Sequence, residues 1–122
     1  MKKVGVLFLM VLLLSNLVAC SGGTYVISIG EVESTNNSII GEYDSFSGEY
    51  FKKVNIANGE SYTITFSVRT EKGELIAKVI NSDGETLKTL KDGDSFTLNH
   101  SGSYKLQVEG EKHRGNFTLS WE

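Results

Sequence analysis

The chain has 122 residues, enough for one small domain with a modest core once any targeting segment is set aside. Twelve basic residues stand against 15 acidic ones, for a formal net charge of −3, and no basic stripe is present to neutralise phosphates, which excludes nucleic acid as a partner. The single cysteine excludes an internal disulfide.

Lys2 and Lys3 form a basic n-region, and Val4 to Leu14 (VGVLFLMVLLL) are apolar apart from Gly5. This pattern predicts a signal-peptide helix over residues 1–19. A membrane-spanning helix needs roughly 20 apolar residues, and Ser15 and Asn16 interrupt the run, so a retained anchor is the second reading. Leu17-Val18-Ala19-Cys20 resembles the lipobox of bacterial lipoproteins, with Leu three residues before the cysteine and a small residue just before it. The resemblance implies cleavage between Ala19 and Cys20, a diacylglyceryl group on the Cys20 thiol and acylation of the new N-terminus. The protein is then expected on the extracytoplasmic side of a bacterial cell membrane. Two or three acyl chains hold a small domain where one chain is marginal. Residues 20–24 are expected to be the lipidated cysteine and a short flexible tether, Ser21-Gly22-Gly23, followed by one domain over 25–122. Removing residues 1–19 takes Lys2 and Lys3 with it, leaving 10 basic and 15 acidic residues and a net charge of −5, so lipid rather than charge does the holding.

From Tyr25 onward the chain reads as β. Tyr25 to Val32 is a first candidate strand. Gly41 to Phe51 (GEYDSFSGEYF) interleaves aromatic rings with carboxylates and is read as a loop. Its rings suit stacking on a sugar or anchoring a peptide, while carboxylates accept hydrogen bonds from hydroxyls. Tyr43, Phe46, Tyr50, Glu42 and Asp44 are therefore the candidate ligand-binding residues, the other reading being that some of these rings fold back over the open end of the sandwich. Tyr50 to Ala57 is a further strand, closed by the turn dipeptide Asn58-Gly59. Ser61 to Arg69 alternates strictly, with Tyr62, Ile64, Phe66 and Val68 on one face. Glu74 to Ile80, Glu85 to Leu90, Ser95 to Asn99, Tyr104 to Val108 and Phe117 to Trp121 follow, punctuated by Asp83-Gly84, Asp92-Gly93, Ser101-Gly102 and Arg114-Gly115. The phase of Trp121 matches Phe117 and Leu119 and places it in the core.

About seven to nine short strands with turns every 8 to 12 residues predict an all-β, antiparallel, jelly-roll-like β-sandwich. A closed barrel is the alternative. The rhythm of Asn58-Gly59-Glu60-Ser61-Tyr62, Gly73 to Ile80 with Asp83-Gly84, Ser101 to Val108, and Gly115-Asn116-Phe117 resembles the pre-peptidase C-terminal type of jelly-roll domain of secreted bacterial enzymes. That resemblance implies a non-catalytic accessory domain that binds polymers or assists a neighbour.

No catalytic residues, metal site or cofactor are expected. His100 and His113 fall in two different loops and read as solvated. Gly93-Asp94-Ser95 reads as a turn into a strand, without a G-x-S-x-G elbow. Asp92 and Asp94, or Asp83 and Glu85, offer oxygens from turns but too few for calcium. The sequence thus points to a membrane-anchored binding module for a glycan, peptide or envelope protein. The alternative is a structural or regulatory partner domain of an envelope complex with no small-molecule ligand.

Overall fold

The computed structural model describes residues 21–122. The predicted signal-peptide helix, the Ala19–Cys20 cleavage position and the lipidation of Cys20 lie outside the described residues. Seven strands form one antiparallel sheet: β1 (Ser21–Gly22), β2 (Tyr25–Ser34), β3 (Ser38–Ile56), β4 (Tyr62–Asn81), β5 (Thr86–Leu90), β6 (Ser95–Leu98) and β7 (Gly102–Trp121). β7 lies in the middle, paired with β3 on one side and β4 on the other. β1 and β2 line the outer side of β3, while β5 and β6 line the outer side of β4. The two outer edges do not pair with each other among the described residues, so the sheet is not a closed barrel.

The sheet folds over on itself, and the pairing of β4 requires it. Ala77 pairs with Leu90 and Thr65 with Ser95, while Phe66 N–H donates to the Asp94 carbonyl at 3.0 Å. Five residue steps from Leu90 to Ser95 span at most about 18 Å, whereas the twelve steps from Thr65 to Ala77 would run about 40 Å if straight. β4 must therefore double back between its halves. The crease crosses the whole sheet. The β3–β7 ladder shifts register between Tyr43 and Gly48, and the β4–β7 ladder between Thr70 and Glu74. Bulges of this kind bend a strand and increase its twist. The result is two stacked layers, each built from half of β3, half of β7 and half of β4.

Several expected boundaries differ from this. Ser61–Arg69 and Glu74–Ile80 are halves of the one strand β4, and Tyr104–Val108 and Phe117–Trp121 are halves of β7. The expected hairpin loop at Arg114-Gly115 is a bend within a strand. Ser21–Gly22 is not a flexible tether but strand β1, in register with Lys52 and Phe51. Gly41 to Phe51 is strand, not loop. The turn carboxylates have local work: Asp92 accepts the Val68 N–H and Asp94 the Lys91 N–H, both at 2.9 Å.

The core fills the space between the layers. Ile64 and Phe66 from one half of β4 join Leu75, Ala77 and Val79 from the other, with Leu106, Val108, Phe117, Leu119 and Trp121 from β7. Burying each of the larger aliphatic and phenyl side chains contributes about 1.5–3 kcal/mol. Rings run in series across the crease: Tyr50 to Tyr25 at 5.5 Å, Tyr25 to Phe46 at 5.9 Å, Phe46 to Tyr43 at 5.3 Å, Tyr43 to Phe117 and Phe117 to Phe66 at 6.3 Å each. Gly41 sits in register with Phe117, and a side chain there would enter the Phe117 ring, so glycine makes room for the aromatic.

His113, expected in a solvated loop, is 0% exposed at the crease. Its Nδ1 lies 2.7 Å from the Tyr43 hydroxyl and its Nε2 2.8 Å from the Thr70 hydroxyl. A neutral imidazole satisfies both contacts, one nitrogen donating and the other accepting. Burial pushes the His113 pKa below its ordinary 6.5 and that of Tyr43 well above the usual phenol range.

Two expectations follow. Gly73 has φ +75°, and a Cβ there would collide with the carbonyl oxygens of Glu111 and Lys112. Gly84 has a similar φ of +86° but open space around it. Gly84→Ala should lower unfolding free energy by about 1–2 kcal/mol, the left-handed penalty alone, and Gly73→Ala by distinctly more, read from urea midpoints. For His113, the unfolded chain binds a proton as pH falls through 6.5 while the folded chain does not. Stability contributed by the neutral ring is therefore complete above that value and falls between it and the lower folded pKa. Wild type should lose more stability from pH 7.5 to 5.5 than His113→Gln; equal losses would show that the ring does not titrate against folding.

Candidate functional site

β-Strand alternation sorts β3 into two chemistries. Tyr43 faces the core, so its neighbours Glu42 and Asp44 face outward. The outward face of this layer is hollow. A groove of about 700 Å³ runs across it, lined by Ile29, Glu31 and Glu33 of β2, Ile40, Glu42, Tyr43 and Asp44 of β3, and Arg114 and Asn116 of β7. Glu71 of β4 closes one end, ion-paired to Arg114 at 3.1 Å.

The register makes the groove electrostatically costly to the fold. Glu31 stands directly opposite Glu42 across the β2–β3 ladder, and Glu42 is in turn opposite Asn116 on β7. Like charges directly opposed on neighbouring strands destabilise the pair. Among the described residues the ion pairs are Lys78–Glu109 and Arg114–Glu71, so neither member of the Glu31–Glu42 pair has a cation of its own.

The outer face of the other layer shows the contrasting case. There Glu49 and Glu109 are also directly opposite, on β3 and β7. Gln107, only 6% exposed, donates from Nε2 to both, at 3.2 and 2.9 Å. Lys78 reaches Glu109 at 2.9 Å, and Lys105 lies 4.6 Å above the centre of the Phe51 ring. That face answers its own charges. On the groove face Arg114 answers Glu71, and the Glu31–Glu42 pair goes unanswered.

The five candidate ligand-binding residues part company in this geometry. Glu42 and Asp44 line the groove. Tyr43 borders the groove too, but it is only 5% exposed, and Phe46 and Tyr50 are buried in the core away from it. Glu31, Glu33, Ile40, Arg114 and Asn116 were absent from the sequence reading of the site. Reading Gly41 to Phe51 as strand, with carboxylates and rings on opposite faces, would have pointed outward from Glu42 and Asp44 to their cross-strand neighbours. His100 is exposed, whereas the His113 ring is sealed in the core. Among the described residues no three His, Cys, Asp or Glu side chains gather in a way that could hold a metal ion.

No protein-family model matches the chain, and no curated protein does. Solved structures do. The chain is similar to TmCBM61, determined in complex with β-1,4-galactotriose, with 16% identity, a TM-score of 0.50, and coverage of 85% of this chain and 88% of that one. A carbohydrate-binding module (CBM6cm-2) from Cellvibrio mixtus lichenase 5A, in complex with cellotriose, is similar at 18% identity and TM-score 0.42, over 80% of this chain and 86% of that one. The enzymatically active domain of bacteriophage CBA120 tailspike protein 4 matches at 8% identity and TM-score 0.46. The match takes in 84% of this chain but 19% of the tailspike's length. At these identities the likeness speaks to architecture: the chain is an antiparallel β-sandwich of the jelly-roll-like kind found in carbohydrate-binding modules.

Proposed function

We propose that this protein is a lipid-anchored bacterial surface module whose sandwich binds a neutral glycan along the groove formed by β2, β3 and β7, without catalysis or cofactor. The observation that carries the reading is the Glu31–Glu42 pair, two carboxylates held face to face with no counter-ion among the described residues. A sugar presents rows of hydroxyl donors, and hydrogen bonds from O–H to an ionised carboxylate are among the stronger kind. Glu33 and Asp44 extend the row of acceptors, Asn116 offers both donor and acceptor, and Ile40 supplies an aliphatic contact for the C–H face of a ring. The same charge turns away polymers rich in uronate or phosphate. The sandwich architecture supports this reading, as does the polymer-binding accessory role implied by the pre-peptidase C-terminal resemblance. The address comes from Leu17-Val18-Ala19-Cys20, which implies lipid on Cys20 and the membrane as a standing partner.

Intact mass of the membrane-extracted protein is expected to give a chain beginning at Cys20 with added acyl groups, absent from Cys20→Ala. The extracted protein should be retarded by neutral polysaccharides in affinity electrophoresis and not by anionic ones. Glu42→Gln and Asp44→Asn together should weaken that binding about tenfold or more, which corresponds to about 1.4 kcal/mol. Glu42→Gln alone should also raise the unfolding midpoint, by about 0.2–1 kcal/mol of relieved repulsion. Retention by anionic polymers, or binding indifferent to both substitutions, would sink the groove as the glycan site.

A further inference from the structure

We propose that the glycan taken by this groove carries an acetamido group, as an N-acetylhexosamine does, with the amide set between Glu42 and Asn116. The inference rests on the groove as the glycan site and names the chemistry read there. Glu42 of β3 and Asn116 of β7 stand directly opposite across the ladder, and both are exposed and line the groove. One ends in acceptors alone, and the other carries two amide donors and a carbonyl. Residues so opposed have Cβ atoms about 4.5–5.5 Å apart. Yet among the described residues neither side chain is hydrogen-bonded, to the other or to a third group, whereas the amide on the opposite outer face is. There Gln107 donates through Nε2 to Glu49 and Glu109, at 3.2 and 2.9 Å, and closes the gap between them. Asparagine is one methylene shorter than glutamine. In the groove the carboxylate and the amide therefore face each other across an opening that a longer side chain would bridge.

A secondary amide fits that opening by its own geometry. It is planar and trans, so its N–H and C=O point in opposite directions. Set between the two strands, the acetamido N–H donates to Glu42 and its carbonyl accepts from Asn116. Arg114, two residues from Asn116 along β7 and also lining the groove, adds donors on the carbonyl side. It pairs with Glu71 through Nε at 3.1 Å, which leaves its terminal N–H groups unpaired among the described residues. The acetyl methyl needs an apolar neighbour. Ile40, two residues from Glu42 along β3 and 40% exposed, supplies one. Ile29 of β2, 78% exposed, offers a second aliphatic surface to the ring carbons. A sugar bearing hydroxyls alone satisfies the carboxylates but leaves Asn116 and the methyl contact at Ile40 without their match.

The test uses two pairs of neutral sugars in which one member has an acetamido group where the other has a hydroxyl: triacetylchitotriose against cellotriose, and N-acetylgalactosamine against galactose. Each is titrated calorimetrically into the purified full chain, wild type beside Asn116→Gln. In at least one pair the acetamido sugar is expected to bind the wild type about tenfold or more tightly than its partner. In Asn116→Gln the longer side chain reaches Glu42, so that preference should vanish while the urea midpoint holds or rises. If neither pair shows a difference while a neutral polysaccharide still retards the chain, the acetamido inference is overturned and the groove stands. If no neutral sugar or polysaccharide binds, the groove reading fails and this inference with it. A preference that survives Asn116→Gln, or tighter binding of deacetylated than of acetylated chitotriose, shows that the carboxylates read the ligand without the amide, and the inference is wrong.

Discussion

One buried imidazole holds the architecture together at its most strained line. His113 stands on the central strand, midway along β7, and its two nitrogens reach hydroxyls on both neighbouring strands, Tyr43 on β3 and Thr70 on β4. At this line the ladders are interrupted by bulges, so fewer backbone hydrogen bonds are available to keep the strands in step. A side chain that ties three strands where the backbone lets go sets the register of both layers. It also reaches the groove indirectly. Because Tyr43 is pinned inward, Glu42 and Asp44 on either side of it have no choice but to point outward.

Much of the fold is legible in the period-2 patterning. Ile64 and Phe66 alternate inward as their spacing demands, and Trp121 shares the phase of Phe117 and Leu119. The turns at Asn58-Gly59 and Asp83-Gly84 fall between strands. What misleads is that a sharp bend in a strand and a hairpin turn call for the same residues. Gly73 and Gly115 have positive φ in mid-strand, and charged neighbours such as Glu71, Lys72, Glu111 and Lys112 look like loop tips because the crease is solvated. A local window cannot tell a chain that reverses beside itself from one that folds over with its neighbours. The tertiary pairing that decides the matter is long-range.

The site was half legible for the same reason. Tyr43, Phe46 and Tyr50 do not share one parity, so they read as a loop of exposed rings, yet all three are buried. Register shifts between Tyr43 and Phe46, and between Phe46 and Gly48, reset the phase and return each ring to the core. The carboxylates were visible, but their cross-strand partners were not. Nothing in the local sequence says that Glu31 faces Glu42. The comparison of the two outer faces carries more than the carboxylates alone: opposed glutamates occur on both, and on one of them Gln107 and Lys78 provide the answering groups.

The strand order bears on how such a chain is made. β3 and β4 do not pair with each other; each is completed by β7, the last strand in the order of the chain. Until Gly102–Trp121 is present, the earlier strands have edges but no centre, and the two longest ladders, β3–β7 and β4–β7, are long-range. Folding of this kind waits on the closure of large loops and is slow relative to folds built from local contacts. The sheet therefore stays open until Gly102–Trp121 joins it.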